Sequence, residues 1–136
     1  MLELVVNPKL SKYQVARFYK NLEQPLTEHE LTRITKVLRK SYVIAAYEQH
    51  ELVGWICALS DYMTIVYIQD ILITPAYRSK RIAWTLMRHL MDYFAHVPRI
   101  DAILKDNQVS ELYTSLGFYP LEDKSQKLYC FEHYQK

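Results

Sequence analysis

The sequence predicts a mixed α/β fold: one sheet, partly antiparallel and partly parallel, with helices on both faces. Three observations carry this expectation. Strand-like and helix-like periodicities follow one another in the order β-α-α-β-β-β-α-β-α-β-β. The strands in the middle of the chain succeed each other across short turns, as antiparallel neighbours do. A strand-helix-strand crossover follows, and its right-handed form sets two neighbouring strands parallel. Helices on both faces then bury the sheet.

The elements read in order as follows. Leu2 to Val6 is a short apolar run ended by Asn7-Pro8, a strand. Ser11 can cap a helix on which Val15, Phe18, Tyr19 and Leu22 keep helical spacing, and Pro25 ends it. Thr27-Glu28-His29-Glu30 is a capping box, in which hydroxyl and carboxylate each satisfy the other's backbone N–H. Leu31, Ile34 and Leu38 give the helix behind it one apolar face. Tyr42 to Tyr47 and Leu52 to Leu59 are strands about the turn Glu48-Gln49-His50. Ser60-Asp61 turns again, and Thr64 to Ile73 is a long strand rich in β-branched residues. Ile82, Leu86, Leu90 and Phe94 mark an amphipathic helix that stops before Pro98. Ile100 to Leu104 is a strand. Val109, Leu112, Tyr113 and Leu116 mark a last helix with Gly117 as its C-terminal cap. Phe118 to Leu121 and Leu128 to Phe131 are the last two strands.

A chain of 136 residues suits a single domain, 1–136, with one core. No composition break marks a linker, and no repeat is visible. The formal charge of +2 is too small to argue for nucleic acid or an anionic membrane. No apolar run is long enough to span a bilayer. The N-terminus lacks the pattern of a signal peptide, so a cytoplasmic location is expected. Cys57 and Cys130 each lie in an apolar, strand-like segment and read as two buried, reduced thiols. Nothing in their surroundings supports a metal site, and the five histidines are scattered without a motif.

Chemistry concentrates between Ile71 and Ala83. A strand ends, a short loop turns, and a helix starts. The free N–H groups of a helix start, aided by its dipole, form an anion site. Arg78, Lys80 and Arg81 crowd that start, where positive side chains oppose the dipole unless an anion is present. These residues fit a phosphate ligand, and they equally fit a solvated basic turn.

Here the chain resembles the GNAT superfamily of N-acetyltransferases. The family's pyrophosphate loop, Q/R-x-x-G-x-G/A, corresponds to Arg78-Ser79-Lys80-Arg81-Ile82-Ala83, with the central glycine replaced by Arg81. A helix start does not by itself require positive φ, so a side chain at this position is tolerated if it points outward. Arg81 could add a charge-assisted contact to phosphate. A second signature matches Leu112-Tyr113-Thr114-Ser115-Leu116-Gly117-Phe118, and the element order matches along nearly the whole chain.

The resemblance implies acetyl transfer from acetyl-CoA to the amine of a small molecule or peptide. The acetyl carbonyl would lie along the strand that ends at Ile73. A backbone N–H near Leu72 would face it, with the backbone of Ile71 and Ile73 holding the pantetheine arm. Tyr113 would be the acid for the departing thiolate, although its helical spacing also suits a core-edge tyrosine. Asp106 stands where family members often carry a pantetheine-binding Asn, with Asn107 beside it; either also suits the N-cap of the last helix. Asp70, the carboxylate of the long strand, is the candidate base, acting through a water that Gln69 could orient. A partnered structural role suits Asp70 equally well. No metal and no nucleic acid are expected, and the resemblance allows a homodimer. The competing reading is a non-catalytic acyl-CoA sensor or interaction module on the same fold, favoured by the altered loop.

Overall fold

The computed structural model describes residues 1–78, 81–104 and 110–133. They fall into two units, Met1–Ile103 and Leu104–Lys136. The first unit contains β1 (Leu2–Val6), α1 (Lys12–Asn21), α2 (Glu28–Lys40), β2 (Tyr42–Glu48), β3 (Glu51–Ser60), β4 (Val66–Ile73), α3 (Ile82–Tyr93) and β5 (Ile100–Ala102). The sheet order is β1-β2-β3-β4-β5. The first three pairings are antiparallel, and β4 pairs β5 in parallel across the α3 crossover. The mixed sheet expected from the element order is therefore present.

Local chemistry sets the ends of these elements. Ser11 and Gln14 form a capping box at the start of α1, and Thr27 and Glu30 form one at the start of α2. Asn7 ends β1 at φ 50°, donating its N–H to the Val43 carbonyl while its Oδ1 accepts from the Val43 N–H. The strand expected from Thr64 begins at Val66 instead. Asp61 accepts hydrogen bonds from the Thr64 hydroxyl and from the backbone N–H groups of Thr64 and Met63, which winds those residues into a turn. The same bonds, the Thr64 hydroxyl foremost, hold the Asp61 carboxyl well below the usual carboxylate range.

The sheet is buried on both faces. Leu10, Val15, Phe18, Tyr19, Leu22 and Leu38, from α1, α2 and the segments beside them, pack on Val43, Ala45, Trp55 and Cys57. Alternation sends Ile44, Ala46, Ile56 and Ala58 to the opposite face. There α3 contacts β2, β3 and β4, and its buried side is Ile82, Leu86, Met87 and Leu90. Gly54 permits close approach between β3 and β4: a Cβ there would lie 2.7 Å from Ile73 Cδ1 and 2.9 Å from the Leu72 carbonyl oxygen.

In the second unit α4 spans Ser110–Ser115. The expected cap is present. Gly117 adopts φ 99°, its N–H bonds the Thr114 carbonyl, and the Phe118 N–H bonds the Tyr113 carbonyl. This is a Schellman ending, and the Tyr113 and Phe118 rings supply its apolar contact, edge to face at 5.5 Å. The last two strands of the expected order are not formed. Pro120 leads into a short 3₁₀ turn, Leu121–Lys124, and no ladder forms at 118–121 or 128–131. Leu128, Tyr129 and Phe131 are exposed, so the apolar run is present without a partner strand among the described residues. For the same reason Cys130 is exposed rather than buried, while Cys57 lies in the core.

Candidate functional site

Strand β4 meets its two neighbours differently along its length. Against β3 it is paired throughout, with Trp55 opposite Leu72, Ile56 opposite Ile71 and Cys57 opposite Asp70. The register shifts between Cys57 and Ala58, leaving Gln69 as an extra residue on β4, a bulge that bends and twists the strand. Against β5 the pairing covers only Val66, Tyr67 and Ile68. From Gln69 to Ile73 the edge of β4 away from β3 has no partner strand among the described residues.

The antiparallel pattern decides which backbone groups reach that open edge. Thr74 donates its N–H to the Val53 carbonyl at 2.9 Å, which fixes the phase of the ladder. Hydrogen-bonded pairs alternate with non-bonded ones, so Leu72 exchanges bonds with Trp55 while Ile71 and Ile73 point their N–H and C=O groups outward. The expectation for Leu72 therefore changes: its N–H belongs to the ladder. The outward direction at Ile73 has independent support, because its carbonyl accepts a hydrogen bond from Arg78 Nε at 3.0 Å.

Beyond β4 the chain turns sharply. Pro75–Tyr77 form a 3₁₀ turn, with the Tyr77 N–H on the Thr74 carbonyl. Buried Thr74 also directs its hydroxyl to the Val53 carbonyl. Ser79 and Lys80 lie outside the described residues. Helix α3 then starts with Arg81 as its N-cap. Unlike α1 and α2, it has no side-chain cap, and unlike α2 it has no acidic residue in its first turn. Helix geometry leaves its first N–H groups, Ile82 and Ala83 among them, without intrahelical acceptors.

Arg81 departs from expectation. It adopts φ 59° and ψ 21°, the left-handed conformation natural to glycine. The helix start therefore carries positive φ at this position. Its guanidinium lies over the Trp84 ring, 4.6 Å from the centroid. The arginine therefore takes a backbone conformation that glycine adopts without strain and carries its charge onto the first turn of α3.

Asp70 projects from the face covered by α1 and α2, the face of its cross-strand neighbour Cys57. Its charge is felt by Tyr19 and by Cys57. Burial is the first cause of the upward push on both groups, and the Cys57 thiol rises to about 11. In the second unit Tyr113 is buried, and that burial pushes its phenol above the ordinary value. Asp106 and Asn107 lie outside the described residues. Among the described residues no group of three or more His, Cys, Asp or Glu side chains could hold a metal ion. No helix of the described residues is long and apolar enough to cross a membrane. Sequence reasoning missed Tyr19 and Trp84 as neighbours of the site; their helical spacing marks only a core face and an amphipathic turn.

Comparison with known proteins adds the following. The family model of the acetyltransferase (GNAT) family matches residues 8–118. No curated protein shows significant sequence similarity. A GNAT-family acetyltransferase from Streptococcus pneumoniae is similar in structure, with a TM-score of 0.81 and 19% identity, covering 99% of this chain and 100% of that one. The aminoglycoside 6'-N-acetyltransferase AAC(6')-Ih of Acinetobacter baumannii superposes with a TM-score of 0.67 and 16% identity over the full length of both chains. AAC(6')-Iy, solved with the bisubstrate analogue CoA-S-monomethyl-acetylneamine, gives 0.72 and 11%, covering 99% of each chain.

Proposed function

Because the chain belongs to the GNAT family of acetyltransferases, we propose that it moves an acetyl group from acetyl-CoA to a primary amine of a small molecule or peptide. One observation carries the reading. A half-open strand edge leads directly into a helix start that is uncapped, free of acidic residues and flanked by arginines. That combination suits a ligand with an amide-bearing arm and a pyrophosphate. The structural likeness to an enzyme solved with a CoA-linked analogue supports the same co-substrate.

In this reading the loop Arg78-Ser79-Lys80-Arg81 and the first N–H groups of α3, at Ile82 and Ala83, receive the pyrophosphate. The outward N–H and C=O groups of Ile71 and Ile73 hold the pantetheine arm as an added strand would. One of their N–H groups faces the acetyl oxygen and stabilises the oxyanion. Asp106 or Asn107 contacts the pantetheine arm. Asp70 takes the amine proton through a water that Gln69 orients, the nitrogen lone pair attacks the thioester carbon, and the C–S pair leaves as thiolate. Tyr113, kept protonated by burial, donates to that sulfur; the Leu-Tyr-x-x-Leu-Gly-Phe match supports the assignment. We further propose that residues 1–136 act as one catalytic domain, because the matched region 8–118 runs across both units.

The test is release of free CoA from acetyl-CoA in the presence of a polyamine, an aminoglycoside and a lysine-containing peptide. Release that depends on an amine, with an acetylated product identified by mass, is expected. Binding of acetyl-CoA without amine-dependent release would favour a sensor instead.

A further inference from the structure

Position 81 is an unfavourable place for an arginine. At φ 59° and ψ 21° a side chain is strained where glycine is not. Strain of this kind persists where the surroundings hold it, and it gathers at functional segments. The backbone of Arg81 is built firmly into the start of α3. Its carbonyl accepts from the Thr85 N–H at 3.1 Å and from the Thr85 hydroxyl at 3.0 Å. Its guanidinium lies over the Trp84 ring, 4.6 Å from the centroid. Trp84 follows by three residues, a spacing that sets two side chains on one face of a helical turn. Core packing does not account for this tryptophan. Ile82, Leu86, Met87 and Leu90 form the buried side of α3, whereas Trp84 is 36% exposed.

The two arginines of this segment are engaged differently. Arg78 donates its Nε–H to the Ile73 carbonyl at 3.0 Å, which ties it to the end of β4. Arg81 is held by attraction between its charge and the indole face, which requires no N–H donor. Among the described residues no carboxylate or carbonyl takes its donors. A guanidinium fixed in this way keeps a planar fork of donors that matches phosphate oxygens.

We infer that Trp84 is a positioning residue for acetyl-CoA: its ring holds the Arg81 guanidinium at the start of α3, with its donors free for the phosphates. The inference rests on acetyl-CoA binding at this helix start. The Arg81 fork then supplies the contact that a glycine would leave to the backbone alone. Trp84 acts through Arg81. The pair therefore favours ligands that carry phosphates and adds nothing for the pantetheine arm by itself.

The experiment needs no acceptor. Calorimetric titration with CoA, and separately with pantetheine, compares wild type with Trp84→Phe, Trp84→Leu, Arg81→Gln and the double variant Trp84→Leu/Arg81→Gln. Melting of the free proteins checks that each is folded at the titration temperature. Trp84→Leu is expected to weaken CoA by roughly twofold to fivefold, the size of a cation–π contact at an exposed site, and to leave pantetheine unchanged. Trp84→Phe keeps a ring and should retain most of the affinity. In the Arg81→Gln background the Trp84→Leu change should have no further effect. A second readout is tryptophan emission. The chain has two tryptophans, and Trp55 is buried in the core. CoA should therefore change the emission of wild type and hardly that of Trp84→Phe. Wild-type CoA affinity in Trp84→Leu, a loss shared by pantetheine, or the same loss with Arg81 already replaced would overturn the inference and leave the co-substrate site standing. Wild-type protein that binds no CoA would overturn both.

Discussion

A Cβ in the left-handed region crowds the adjacent carbonyl, at a cost of roughly 1–2 kcal/mol. Arg81 sits there at φ 59°. The cation–π contact with Trp84 offsets about 0.5–1 kcal/mol of that at an exposed site. Two variants separate the contributions. Arg81→Ala keeps the strain and loses the contact; Arg81→Gly loses both the contact and the strain but gains unfolded-chain entropy. Arg81→Gly is therefore expected to be the more stable by about 1 kcal/mol in denaturant melts. A helix start with negative φ would give the opposite order. The sequence showed that the family's glycine was replaced but not that Arg81 adopts a left-handed backbone, because φ is not legible from residue type alone. The cysteines are told apart in the same way. Burial raises the Cys57 thiol from 9.0 to about 11. The folded state then binds this proton more tightly than the unfolded chain. Its stabilising contribution is complete below pH 9 and is lost as pH rises from 9 towards 11. The loss totals about 2–3 kcal/mol. Chemical denaturation across that range should show the decline in wild type and a shallower one in Cys57→Ala. Equal slopes would place the alkaline loss elsewhere.

Strand and helix boundaries were legible wherever the signal is local. The cap at Ser11, the capping box at Thr27 and the Gly117 ending lie where side-chain chemistry put them. Pairing is not local, and there the pattern misled. Leu128 to Phe131 is a short apolar run like a strand but finds no ladder among the described residues, and β4 begins two residues late because Asp61 claims the N–H groups before it. The bulge at Gln69 and the open edge beyond Ile68 likewise depend on where neighbouring strands end. Gly54 tests how tightly the end of β4 is held. Its Cβ would meet the Leu72 carbonyl, a backbone atom that cannot swing aside, as well as Ile73. Gly54→Ala should destabilise the protein by roughly 1–3 kcal/mol in urea melts, in the range of core overpacking. A neutral result would show that β3 and β4 can separate at this point without loss.

Across the molecule, the mixed sheet with helices on both faces followed from element order and crossover handedness, and family membership followed from two short motifs. Backbone direction was not legible. Only the ladder phase shows that Ile71 and Ile73, rather than Leu72, present hydrogen-bonding groups to the open edge. The acceptor side was the least legible. Asp70 stood out as the carboxylate of a long strand, but Tyr19 reaches its neighbourhood from a helix some fifty residues earlier in the chain. The central claim is that the loop before α3 and the outer edge of β4 bind acetyl-CoA. Thermal melting with and without the co-substrate tests it most directly. At roughly 100 to 1,000 times its Kd, acetyl-CoA should stabilise the fold by about 2–4 kcal/mol and raise the midpoint accordingly. A melting midpoint unmoved by millimolar acetyl-CoA would contradict the account.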